Sequence, residues 1–135
     1  KLPIALGLDW PRRIADASKP NDWSAPVDLH FEPLDSDAFG AVELARRCGK
    51  AGGSAPAVFN AANEVLVDAF CEGRIGFLDI TDTIARVVDE HLALAGQPGG
   101  HLSDDQMTVD GVLAVDAWAR TRAAELAEAT ACTSC

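Results

Sequence analysis

The stretch SAPAVFNAANEVLVDAFCEG, Ser54 to Gly73, decides the fold. Phe59, Ala62, Leu66, Ala69 and Phe70 recur at the spacing of one helix face. Ser54 stands at the start, Pro56 is tolerated in a first turn, and Gly73 supplies a stop. The pattern predicts a helix from near Ser54 to about Glu72. Inside it, Asn60, Asn63 and Glu64 are spaced i, i+3, i+4 and share a second, polar stripe with Asp68. Asn is a poor helix former because its amide competes with the backbone for hydrogen bonds. Two of them in mid-helix raise the question of what holds them there.

Three more helices flank this one. Asp35 is an N-cap candidate for a helix over 36–47, with Ala38, Ala41, Val42, Ala45 and Cys48 as its apolar stripe. The glycines of CGKAGG end it. A helix over 79–94 repeats Ile80, Ile84, Val87, Val88 and Leu92, with His91 at the edge of the seam as a partly buried packing residue. Thr108 caps a helix reaching about Ala129, whose stripe is Val112, Val115, Ala119, Ala123 and Leu126. Trp118 lies off that stripe, at an edge or against a partner. Four amphipathic helices with short connections predict a bundle over 34–129, with Leu66 and Ile84 in its core. Residues 1–33 read as an irregular connecting segment. Within it VDLHFEP alternates Val27, Leu29 and Phe31 against Asp28, His30 and Glu32, the signature of one short half-buried strand. Residues 130–135 read as a disordered tail. The expected class is mainly α: a four-helix-bundle-like domain behind an irregular linker with one short strand.

Composition narrows the function. The chain has 135 residues, the size of one ordinary domain, and 48% of them are hydrophobic. Eleven Lys and Arg face 21 Asp and Glu, for a net charge of -10. Such a surface repels phosphate backbones and anionic lipid, which argues against nucleic-acid and membrane partners. The opening KLPIALGLDWP reads as the interior of a longer protein and shows no signal peptide. Cys48 and Cys71 fall on apolar helical positions, as small core residues do in a reducing, cytoplasmic compartment. Cys132 and Cys135 have C-x-x-C spacing, but no further ligands accompany them and no strand-to-helix turn carries them. They read as part of a functionless end.

Chemistry-bearing motifs are scarce. AGGSAP lacks the lysine of a phosphate loop and the dinucleotide spacing. His30 sits on the polar side of the expected strand, and the acids of HLSDD, after His101, read as solvated loop residues. No catalytic, cofactor-binding or metal-ligating residue is assigned.

Three segments together carry a resemblance: KLPIALGLDWPRR, NAANEVLVDAFCEGRIGFLDI and TVDGVLAVDAWAR. In order and separation they resemble the C-terminal part of the 1-deoxy-D-xylulose 5-phosphate reductoisomerase family, and FEPLD fits its actinobacterial members. The resemblance covers about residues 1–129; Gly111 departs from it, standing where an acidic residue is expected. It implies an enzyme that converts 1-deoxy-D-xylulose 5-phosphate to 2-C-methyl-D-erythritol 4-phosphate in non-mevalonate isoprenoid synthesis. NADPH and a divalent metal, Mg2+ or Mn2+, would serve it. It also implies a homodimeric subunit of three parts: an N-terminal NADPH-binding domain, a central domain with metal, substrate and mobile lid, and a C-terminal helical bundle. The family's metal-binding and substrate-binding residues lie upstream and none maps here, so the resemblance implies a supporting domain that is inactive and binds no cofactor by itself. Its partners would be the missing domains of the same polypeptide. Asn60, Asn63 and Glu64 then become candidates for a polar docking face against those domains, beside the plainer reading of a solvated helix face. A stand-alone helical interaction module and a diverged oxidoreductase are the alternatives.

Overall fold

A computed structural model describes residues 2–12, 14–15 and 19–133. The described residues form five α-helices: α1 (Leu2–Leu8), α2 (Gly40–Ala51), α3 (Ala55–Cys71), α4 (Phe77–Ala93) and α5 (Val109–Thr133). A single 3-10 turn lies at Asp104–Gln106. The chain divides into two compact units, Lys1–Pro33 and Leu34–Cys135.

In the second unit α3 packs against each of the other three helices, and α4 also meets α2 and α5. The reason is in the α3 sequence. Ala55, Val58, Ala61, Ala62, Leu66 and Ala69 are all fully buried. Alanine lets neighbouring helices approach closely, while Val58 and Leu66 fill the space between them. Helix α4 contributes Ile80, Ile84, Val87 and Val88, and α5 contributes Val115, Ala119, Ala123, Leu126 and Ala127. The α4 and α5 stripes are those expected from periodicity, with Val112 and Leu92 only half-buried at their rims; in α3 Phe59 of the expected stripe is half-buried, and Ala55, Val58 and Ala61 are core residues the stripe did not include. Phe70 lies beyond the α3 core and meets Phe77 edge-on instead, with ring centroids 5.7 Å apart.

Helix α2 differs more. It starts at Gly40, four residues after the expected Ser36. Asp35 does cap, but its Oδ1 accepts the N–H groups of Asp37 and Ala38 in a separate turn ahead of the helix. The buried residues of α2 are Leu44 and Cys48, whereas Ala41 and Ala45 face solvent. Burial pushes the Cys48 thiol up from its ordinary pKa, which keeps it protonated and inert. Cys71 is exposed, contrary to expectation, while Ala69, two residues before it on α3, is buried. At the start of α4, Asp79 occupies the first turn and accepts the Gly76 N–H at 2.8 Å, so the helix begins two residues earlier than expected. Thr108 caps α5 as expected, its Oγ1 accepting the Gly111 N–H at 3.0 Å.

Helix α5 continues through Thr133, so 130–133 is helical backbone rather than a tail. The side chain of Cys132 and all of Cys135 lie outside the described residues.

The first unit contains α1, which was not expected; seven residues are too few to show a period. Its other correction concerns VDLHFEP, which forms no strand. Val27, Leu29 and Phe31 are 68%, 73% and 83% exposed, so neither face is buried. Alternation supplies only one half of a strand; the ladder needs a neighbour, and no described residue pairs with this run. His30 is exposed and meets only Glu32, at 3.1 Å.

Truncating a fully buried aliphatic side chain leaves a cavity that the surrounding helices fill only partly. Leu66→Ala and Ile84→Ala should each cost about 2–5 kcal/mol of unfolding free energy. Urea titrations of both variants check this, and two unchanged midpoints would mean that the core lies elsewhere.

Candidate docking face and a buried serine–histidine clamp

The polar stripe of α3 is only partly free. Asn60 Nδ2–H donates to Glu64 Oε1 at 3.0 Å, one turn along the same helix. Glu64 Oε2 accepts from Arg120 of α5 at 2.6 Å, and Arg120 Nε–H also donates to Asp116 at 2.7 Å. The Arg120 hydrogen bond first, and that from Asn60 second, hold the Glu64 carboxyl below the usual carboxylate range. These groups are solvent-exposed, so the bridge fixes side-chain geometry more than it adds stability. Asn63 stands apart. It is half-buried, and its amide makes no side-chain hydrogen bond to a described residue. Of the three candidate residues the fold therefore joins two and leaves the third unengaged.

A second polar cluster was missed in the sequence. It sits where the loop after α4 folds back over the N-terminus of α3. His91 and Ser54 are both fully buried. His91 Nδ1–H donates to the Gly99 carbonyl at 2.7 Å. The bare Nε2 accepts the Ser54 hydroxyl at 2.9 Å. Ser54 Oγ in turn accepts the Leu102 N–H at 2.9 Å, and the Ser54 N–H donates to the Leu102 carbonyl at 3.0 Å. The His101 N–H donates to the His91 carbonyl, and His101 Nε2–H reaches the Gly52 carbonyl. Asp104, one of the HLSDD acids read as solvated, accepts the Gly53 N–H at 2.7 Å. Gly53 has φ +52°, and a Cβ there would collide with the Leu102 carbonyl. Trp118 packs on the same loop; a Cβ on Gly99 would meet its indole ring.

Despite its Ser–His pairing, this cluster is not built as a nucleophile. The hydroxyl is fully buried, its proton goes to His91 Nε2 and its oxygen accepts the Leu102 N–H of the loop. Histidine and serine here satisfy backbone groups that folding removes from water. No sequence motif marks the arrangement, since Ser54 and His91 are 37 residues apart. The legible signs were indirect: a serine before an alanine-rich helix and a histidine in a valine seam.

Among the described residues no group of three His, Cys, Asp or Glu side chains is placed to hold a metal ion. No helix of the described residues is long and apolar enough to cross a membrane.

A family profile, that of the DXP reductoisomerase C-terminal domain, matches residues 1–122. The chain belongs to that family. The 1-deoxy-D-xylulose 5-phosphate reductoisomerase of Cutibacterium acnes is 62% identical over 131 residues, covering 93% of this chain and 32% of the relative. That of Kitasatospora griseola is 52% identical, covering 94% of this chain and 31% of the relative. The solved reductoisomerase of Zymomonas mobilis in complex with NADPH matches with a TM-score of 0.71 and 35% identity, over 94% of this chain and 31% of that one. A DOX-P reductoisomerase in complex with magnesium matches with the same TM-score, 0.71, at 29% identity. The chain thus spans about a third of the length of the reductoisomerases it matches.

Ser54→Ala would leave the Leu102 N–H without its acceptor and His91 Nε2 without its donor. A loss of about 1–3 kcal/mol is expected from the unpaired buried groups. Chemical denaturation measures it, and a midpoint equal to that of the unsubstituted chain would show that the hydroxyl is dispensable.

Proposed function

We propose that this chain is the C-terminal supporting domain of a 1-deoxy-D-xylulose 5-phosphate reductoisomerase. The whole enzyme would convert its substrate to 2-C-methyl-D-erythritol 4-phosphate, using NADPH and a divalent metal, Mg2+ or Mn2+, as a cytoplasmic homodimer. The single observation that carries this reading is the family match over residues 1–122, in a chain that spans about a third of its relatives. Cofactor, metal and substrate would be held by the remaining two thirds of the polypeptide. The helical domain would brace that part.

The exposed surfaces support a bracing role. Phe77 and Leu78 at the start of α4, and Val109 and Leu113 at the start of α5, are exposed large apolar residues. So are Trp23, Val27, Leu29 and Phe31 in the first unit. Surfaces of this kind mark interaction sites. The face of Asn60, Asn63 and Glu64 would dock there too, with Asn63 as the group awaiting a partner and the Glu64–Arg120 bridge holding the face in shape.

Two measurements test the reading. The 135-residue chain alone should oxidise no NADPH when given substrate and divalent metal, while the enzyme assembled from the full gene should turn over. Activity from the mass-verified chain alone would overturn the assignment. Asn63→Ala should leave the melting temperature of the isolated chain nearly unchanged, since water already serves the amide. In the full enzyme it should cost about 1–3 kcal/mol, because a docked partner is left unsatisfied. Equal shifts in the two contexts would remove docking from the role of this face.

A further inference from the structure

We propose that His91 is a proton-operated latch that holds the loop between α4 and α5 against the N-terminus of α3. The hydrogen-bond chain admits only one arrangement at neutral pH. The Gly99 carbonyl can only accept, so Nδ1 carries the ring proton. Nε2 is bare and takes the Ser54 hydroxyl proton. Ser54 Oγ, its own proton used, receives the Leu102 N–H. A proton added at Nε2 sets two donors face to face. The hydroxyl must then turn toward the Leu102 carbonyl, 3.5 Å away and already engaged by the Ser54 N–H. Nε2–H then donates to the second lone pair of Ser54 Oγ, so the middle link survives only reversed, and the hydroxyl proton is left with this long, shared acceptor.

The surroundings do not welcome the charge. Glu90, the neighbouring carboxylate on α4, is committed to Arg122 of α5 at 2.6 and 3.0 Å. Asp104 of the loop is committed to Gly53. The ring of His101, also from the loop, has its centroid 5.7 Å from that of His91 and adds like charge when protonated. From α5, Trp118 offers its ring at 5.7 Å, a partial compensation. Burial is the largest influence and, against the Gly99 carbonyl that favours the protonated ring, holds the His91 imidazolium below its ordinary pKa. When the loop lifts, the ring meets water and regains an ordinary pKa of about 6.5. The closed loop therefore keeps its full stability above that pH and loses it as pH falls. Each pH unit below about 6.5 should raise the opening constant about tenfold, until the closed state also takes the proton. Proton concentration thereby sets how tightly the loop and the α3 entry are joined.

Residue-resolved hydrogen exchange on the 135-residue chain, corrected for intrinsic rates, tests the latch at about pH 7.5 and about pH 5, on either side of the ordinary histidine pKa. The His101 and Leu102 amides should lose about tenfold or more in protection relative to Val87 in the core. His101→Gln should keep this response and His91→Gln should flatten it. Equal loss in loop and core overturns the proposal. So does a response that survives His91→Gln or vanishes in His101→Gln. Should His91→Gln fail to fold, imidazole NMR of the unsubstituted chain decides: titration of His91 below the ordinary histidine pKa supports the latch, and titration at or above it overturns it.

Discussion

The burial of one face of α3 is the constraint on which the bundle depends. Its alanines allow α4 and α5 to approach together, and Leu66 and Val58 lock into what remains between them. Each Å² of apolar surface removed from water contributes about 25 cal/mol, and α3, which like α4 meets each of the other three helices of the second unit, makes its most extensive contacts with α4 and α5. Helices α4 and α5 bury their stripes chiefly against α3, while α2 also meets α4 and α4 also meets α5. Among the described residues the buried polar side chains are Ser54, Thr83 and His91.

That burial creates a second requirement. With α4 and α5 both packed on α3, the connection between them must cross the α3 N-terminus, and its backbone leaves water. Ser54, His91 and Asp104 supply partners for backbone groups of Leu102, Gly99 and Gly53. Gly52 and Gly53 both take positive φ angles, and the missing side chains leave room for the Asp104 carboxylate at Gly52 and the Leu102 carbonyl at Gly53. Helix packing and loop clamp are thus one construction. The ion pairs from Arg120 to Glu64 and from Arg122 to Glu90 then set the lateral register of α5 against α3 and α4.

How much of this was legible depended on the length of the signal. The stripes of α3, α4 and α5 span several turns, and periodicity placed Leu66, Ile84, Val87, Val115 and Ala119 in the core. Helix α2 was harder, because only Leu44 and Cys48 are buried and a cap at Asp35 starts a turn rather than the helix. Helix α1 is too short to announce itself. The strand expected at Val27 to Glu32 failed because alternation says how a strand would bury its face, not whether a neighbour exists. The Ser54–His91 clamp was invisible since its members meet only through the fold. Asn60 and Glu64 are neighbours on one face, as their spacing implies, but the Arg120 that pairs with Glu64 lies 56 residues beyond it, outside the reach of local pattern.

Membership in the DXP reductoisomerase C-terminal domain family accords with a domain whose polar groups serve backbone and helix register. Its organising role for α3 can be read directly from native-state hydrogen exchange of the 135-residue chain under mild denaturant. The amides of α3 from Ala61 to Ala69 should be the last to exchange, opening only with global unfolding and together with the buried turns of α4 and α5. Exchange of α3 ahead of α4 and α5, with those two helices still protected, would contradict it.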